Sequence, residues 1–216
     1  MRQTRPLPGS LVQRYHGWKA TTFSENAAWY RKLATDGQRP RAMVISCCDS
    51  RVHVTSIFGA EQGEFFIHRN IANLVPPYEP DGQMHGTSAA VEYAVTALKV
   101  SQIIVLGHSQ CGGVQGCDAM CSGHAPELEA KDSFVGRWMD LLRPGWEEVR
   151  DIPDDAERRQ ALEKRAVLTS IDNLMTFPFV KSAVEAGDLV LHALWNDIVE
   201  GTLEYHDAQT DSFQPI

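Results

Sequence analysis

The chain has 216 residues, enough for one sizeable domain with its own core. Apolar residues make up 43% and charged residues 22%, and 20 Lys plus Arg stand against 28 Asp plus Glu, a formal net charge of −8. These figures exclude a disordered chain, a collagen and a disulfide-stapled miniprotein, and the acidic balance disfavours binding to phosphate backbones or anionic membranes.

Residues 1–35 read as a helical arm. Pro6 and Pro8 precede a short amphipathic stretch, Leu11–Trp18, and Thr22 or Ser24 is placed to cap a helix running from Asn26 to about Ala34. Met1–Ser10 carries two arginines with no apolar run behind them, so no secretory signal is expected there. No apolar run reaches the length of a bilayer span, and the five cysteines, an odd count, argue against a disulfide framework; the expected location is the cytoplasm. Residues 36–216 read as a single α/β domain. Ala42–Ser46 and Glu64–His68 are predicted strands, and Ala89–Leu98 is a helix apolar nearly all round, hence expected to be buried. Gln102–Leu106 is the clearest strand and ends at Gly107, with a helix starting near Cys111. Helices follow at Ser133–Leu142 and Asp154–Met175, then a strand at Leu189–Trp195 with Gly201–His206 as its hairpin partner. The alternation of strand and helix predicts an α/β fold, with a mainly parallel central sheet flanked by helices and an N-terminal helical arm.

In such sheets the chemistry sits beyond the carboxyl ends of the strands. Two of those ends are unusual here: Cys47-Cys48-Asp49-Ser50-Arg51, and His108-Ser109-Gln110-Cys111-Gly112-Gly113. Thiolate and imidazole are zinc ligands of choice, and His108 and Cys111, three apart at a strand-to-helix junction, can turn toward one point. A third ligand can come from Cys47 or Cys48. Extended backbone sends Cys47, Asp49 and Arg51 to one side and Cys48 to the other, which selects Cys47 as ligand and leaves Cys48 as a packed thiol. Two cysteines and one histidine leave a tetrahedral position open, the layout of a catalytic zinc, one per chain. Bound water is then acidified from ~15.7 toward ~7, giving a zinc-bound hydroxide. Arg51 can clamp Asp49 through a bidentate pair, so that the carboxylate orients the hydroxide; with the clamp open, Asp49 can instead take the open position, and the sequence permits both states. Gly112 and Gly113 let backbone approach whatever lies beside the site.

At these residues the chain resembles the β-class carbonic anhydrases, whose C-x-D-S-R and H-x-x-C-G-G motifs both occur here in order. Arg69-Asn70-Ile71-Ala72-Asn73 and Glu92-Tyr93-Ala94 resemble further family segments. The resemblance implies reversible hydration of carbon dioxide to bicarbonate and a proton. It makes Cys47, His108 and Cys111 the zinc ligands and Asp49 with Arg51 the catalytic dyad. It adds Gln38, Phe66, Ile71 and Tyr93 to Gly112 as substrate-site residues, and implies a homodimer or dimer of dimers embraced by the N-terminal arm. One subset of the family carries an allosteric bicarbonate site with a tryptophan three residues before the first zinc cysteine; Val44 stands there, and the site's tyrosine falls near Asn196. No such inhibition is therefore expected. Two competing readings keep the same residues: a carbon disulfide or carbonyl sulfide hydrolase, and a non-catalytic zinc or redox protein in which Cys117 and Cys121 oxidise reversibly.

Overall fold

The computed structural model describes residues 3–82 and 85–216; Met1 and Arg2 of the expected arm lie outside them. The chain forms two compact units, residues 1–39 and 40–216. In the first, α1 (Gly9–Trp18) continues through a wider helical turn, Lys19–Phe23, and α2 spans Ala27–Asp36. Asn26, not Thr22 or Ser24, holds the N-cap position of α2; its side-chain amide donates back to the Thr22 carbonyl and so caps nothing. Gly37, at φ +74°, ends the helix in the left-handed region open to glycine. No helical residue of this unit is buried, and Trp18, Phe23 and Tyr30 pack on one another with ring centroids 5.1–6.0 Å apart.

The second unit is built on a sheet of six strands among the described residues: β1 (Ala42–Cys47), β2 (Phe65–Asn70), β3 (Gln102–His108), β4 (Val190–Asn196), β5 (Leu203–Asp207) and β6 (Ser212–Pro215). Their order is β2-β1-β3-β4-β5-β6; the first four run parallel, and β5 and β6 are antiparallel additions. Every residue of β1 is buried, as expected of a strand covered on both faces. The covering helices are α3 (Val54–Ile57), α4 (His85–Glu92), α5 (Gly112–Cys121), α6 (Phe134–Met139), α7 (Arg143–Val149), α8 (Asp155–Leu174) and α9 (Pro178–Glu185). Asp154 starts α8 by accepting the N–H groups of Ala156 and Glu157, both at 2.9 Å. The middle of α8 lies against β3 so closely that a Cβ on Gly107 would come within 2.5 Å of Val167 Cγ2.

The structure corrects the expected burial of the helix at residues 89–98 and adds elements not expected from the sequence. Residues 93–97 continue α4 as a wider turn, and the segment is buried only at Thr87, Val91 and Ala94, while Tyr93 is 48% exposed. Its apolar composition comes from small residues on its outer face rather than from full burial. β6 is not among the strands expected from the sequence; Asp211 takes φ +50°, and the four residues after it pair back onto β5. Helices α7 and α9 each start at a proline-bearing first turn and are too short to show a clear period.

Candidate metal centre and active site

The parallel register brings the carboxyl ends of β1, β2, β3 and β4 level: Cys47 pairs with Asn70, and His108 with Asn196. Beyond that edge the chain turns sharply twice. Ala72 and Asn73, at φ +60° and +50°, lie in the turn after β2, and Gln110, at φ +55°, lies in the turn after β3. Left-handed backbone at residues other than glycine persists only where surrounding contacts hold it.

These turns bring Cys47, His108 and Cys111 together, all buried, with their ligand atoms within 4.8 Å of one another. The Cys47 and Cys111 sulfurs are 3.9 Å apart. Two sulfurs on one tetrahedral zinc at ~2.3 Å would lie about 3.8 Å apart, so the spacing fits. The histidine is also prepared. Its Nδ1 is 2.9 Å from the Ser109 carbonyl, which can only accept, so Nδ1 carries the hydrogen and Nε2 keeps a lone pair. That Nε2 is buried with no hydrogen-bond partner in the structure. A buried acceptor without a protein partner, facing two sulfurs, fits the donor set of a zinc site. The two sulfurs lie within hydrogen-bond distance of each other, and that contact lowers the Cys47 thiol, while the same contact, reinforced by burial, pushes Cys111 up. The Cys47 sulfur also accepts the Ala72 N–H at 3.4 Å.

Asp49 and Arg51 stand on the loop leaving β1. Arg51 Nε donates to Asp49 Oδ1 at 3.0 Å, Nη2 donates to Oδ2 at 2.8 Å, and the Arg51 backbone N–H adds a third bond at 2.9 Å. This clamp holds the Asp49 carboxyl well below the usual carboxylate range. Arg51 Nη2 also donates to the Gln110 carbonyl at 2.9 Å, tying one motif loop to the other. Cys48 departs from expectation: it is exposed rather than packed, because its N–H pairs with the Asn70 carbonyl and turns the side chain outward. It lines a cavity of about 640 Å³ with Ile71, Thr87, Phe134 and Trp138 among the walls.

The substrate-site candidates are dispersed. Ile71 lines that cavity, and its Cγ2 would lie 2.6 Å from a Cβ on Gly113. Gly113 is therefore required for packing α5 on the 71–73 turn, whereas a Cβ on Gly112 would meet open space. Phe66 and Tyr93 stack on each other at 5.8 Å, and Phe66 sits four residues back along β2 from the site edge. Gln38 belongs to the first compact unit.

Two residues do more than their sequence context signalled. Arg69 reaches back from β2 to donate to the carbonyls of Cys47, Asp49 and Val52 at 2.7–2.9 Å, fixing the first motif loop. Glu163, buried on α8, accepts the Cys111 N–H at 3.1 Å. An arginine in a strand pattern and a glutamate in a charged helical run gave no local sign of these contacts.

A parallel α/β sheet whose strand ends carry a Cys-His-Cys triad defines a metal-dependent enzyme of the zinc type. Comparison with known proteins is specific. The carbonic anhydrase family model matches residues 42–203. Beta carbonic anhydrase 3 of Arabidopsis thaliana is 36% identical over 190 residues, covering 87% of this chain and 72% of that protein. Beta carbonic anhydrase 5, chloroplastic, of the same plant is 34% identical over 197 residues, covering 90% and 63%. Among solved structures, the β-carbonic anhydrase CcaA superposes with a TM-score of 0.87 at 30% identity, covering 96% of this chain and 91% of that one. A tetrameric β-carbonic anhydrase of Sordaria macrospora gives 0.74 at 30% identity, covering 91% and 95%. The chain belongs to the carbonic anhydrase family, in its β class, the zinc-dependent carbonate dehydratases. No helix among the described residues is long and apolar enough to cross a membrane.

Proposed function

We propose that this chain catalyses the reversible hydration of carbon dioxide to bicarbonate and a proton, with Cys47, His108 and Cys111 holding zinc and Asp49 and Arg51 acting as the dyad. The observation that carries it is the clamped Asp49–Arg51 pair on the loop that leaves Cys47, joined through Arg51 to the loop that carries Cys111. Zinc held there supplies the Lewis acidity that brings proton loss from water toward neutral pH. Asp49, kept anionic by Arg51, is an acceptor only; it takes a hydrogen bond from the attacking oxygen and so aims that oxygen's lone pair at the carbon. Arg51 holds the carboxylate through both oxygens, which favours this acceptor role over ligation of the metal. Ile71 and the open face of Gly112 offer an apolar approach suited to a small uncharged substrate. Phe66 and Tyr93 are proposed to line the substrate pocket in a homodimer or a dimer of dimers. Cytoplasmic residence is part of the same reading.

The test is stopped-flow hydration with a pH indicator. Activity is expected to rise with pH, and Asp49→Ala and Arg51→Ala are expected to lose about 10²-fold in kcat with zinc content unchanged. Full activity in Asp49→Ala would remove the dyad from the mechanism, and turnover of carbon disulfide or carbonyl sulfide in place of carbon dioxide would overturn the substrate. Bicarbonate is a further discriminator. Val44 is buried within β1 and Asn196 ends β4, two strands away across β3; neither is the tryptophan or tyrosine of the family's allosteric site, so inhibition by bicarbonate is expected to be simple and non-cooperative. A sigmoidal bicarbonate inhibition curve would contradict that expectation.

A further inference from the structure

The turn Ser109–Cys111 joins two of the three ligands, and it is held from several sides. The Ser109 N–H donates to the Asn196 carbonyl at 2.9 Å, the Ile198 N–H donates to Ser109 Oγ at 2.8 Å, and Arg51 donates to the Gln110 carbonyl at 2.9 Å. These contacts explain how Gln110 stays at φ +55°. They leave one group unaccounted for. Cys111 is the N-cap residue of α5, so its own N–H has no helical partner, and the residue is buried. A buried N–H without an acceptor costs about 1–3 kcal/mol. The acceptor is Glu163 Oε1, 3.1 Å away, on the α8 helix behind the site.

Glu163 is itself unusual. It is 3% exposed, in a helix whose other acidic residues, Asp155, Glu157 and Asp172, face solvent. It stands one turn before Val167, the residue that packs on Gly107, so the rigid helix presents its carboxylate at a fixed height behind Cys111. The proposed chemistry uses Asp49 and Arg51 and gives this carboxylate no part.

We propose that Glu163 is a positioning residue for the metal: by accepting the Cys111 N–H it fixes the direction in which the Cys111 sulfur enters the site, and so governs how tightly zinc is retained. The inference rests on the reading of Cys111 as a zinc ligand. Outer contacts of this type are generally worth 10–100-fold in metal affinity. The hydrogen bond, rather than the negative charge, is the working element, because it is the acceptor at that reach that satisfies the N–H.

The experiment is zinc release from the zinc-loaded enzyme to the chelator dipicolinate, with thermal unfolding followed in parallel. Glu163→Gln keeps an oxygen acceptor at the same reach and is expected to release zinc within a few-fold of the wild-type rate. Glu163→Ala is expected to release it 10–100-fold faster at temperatures well below unfolding. Should the alanine variant not fold, Glu163→Asp decides the matter. It keeps the charge but shortens the reach by one methylene, and it is expected to release zinc faster than Glu163→Gln. The reverse order, or equal rates in all variants, would overturn the proposal. Wild-type protein that holds no zinc would instead overturn the ligand assignment, so the two failures are distinguishable.

Discussion

Cys47→Ala is expected to reduce bound zinc from one per chain to a small fraction, and to lower carbon dioxide hydration by more than about 10³-fold. The magnitude follows from the chemistry the ion supplies: without it, proton loss from water returns from ~7 toward ~15.7, and the nucleophile is scarce at neutral pH. The loss of metal follows from the donor set. Cys47 and Cys111 are the two soft anionic donors of the triad, 3.9 Å apart, and a site reduced to one thiolate and one imidazole has neither the charge nor the ligand count of a zinc centre. The alanine also frees the Ala72 N–H that Cys47 accepts, loosening the 71–73 turn on which Gly113 packs. Metal content by mass spectrometry and stopped-flow rates, measured on the same sample, provide the check. The contrast with Asp49→Ala is decisive: that variant is expected to lose rate while keeping zinc. A Cys47→Ala protein with full zinc would show that the triad is not the metal site.

The centre of this site was legible in the sequence because its chemistry is local. Cys47, Asp49 and Arg51 lie within five residues on one loop, and His108 and Cys111 within four on another, so spacing alone brought each group to a strand end. The parallel α/β architecture was legible for a similar reason: β1 and β3 are short apolar runs rich in branched residues, and α8 has a clear cap at Asp154 and 20 residues of helical composition. What escaped depends on contacts between distant segments. Glu163 reaches across 52 residues to Cys111, and Arg69 across 22 to the Cys47 carbonyl. Neither residue type nor local period distinguishes them from solvated charges. Cys48 escaped for a different reason. Alternation gave the correct side, but the side opposite the metal opens to a cavity rather than to packed core. Phe66 and Tyr93, assigned through family resemblance, meet each other rather than Ile71 within one chain.

Asp118→Ala is expected to be the most destabilising of the single polar changes considered, at about 3 kcal/mol or more, lowering Tm by roughly 6–12 °C. Asp118 sits on α5, the helix that begins at the metal loop, and its side chain is only 5% exposed. Arg158 Nε and Nη2 donate to its two oxygens at 2.9 and 3.2 Å, Arg159 Nε donates at 3.3 Å, and Trp146 Nε1 donates at 3.1 Å. Three side chains from α7 and α8 therefore converge on one carboxylate, pinning α5 against both. Removing the acceptor leaves the mostly buried Arg158 with only Asp155 and the Ile152 carbonyl as partners, and leaves the Trp146 N–H without one. The pH dependence distinguishes this charge effect from loss of packing. Burial works against ionisation of Asp118, but its arginine and tryptophan partners outweigh it and hold the carboxyl below its ordinary value. A lowered value means that the stabilisation is fully present above about pH 4, where the unfolded carboxyl ionises, and is lost as pH falls through the folded value. The stability gap between wild type and Asp118→Ala is thus expected to be constant from pH 7 to about 5 and to narrow below about 4. Denaturant unfolding at pH 7, 5 and 3 measures it. A gap under 1 kcal/mol at pH 7, or one that persists undiminished at pH 3, would show that packing rather than the buried carboxylate ties α5 to α7 and α8.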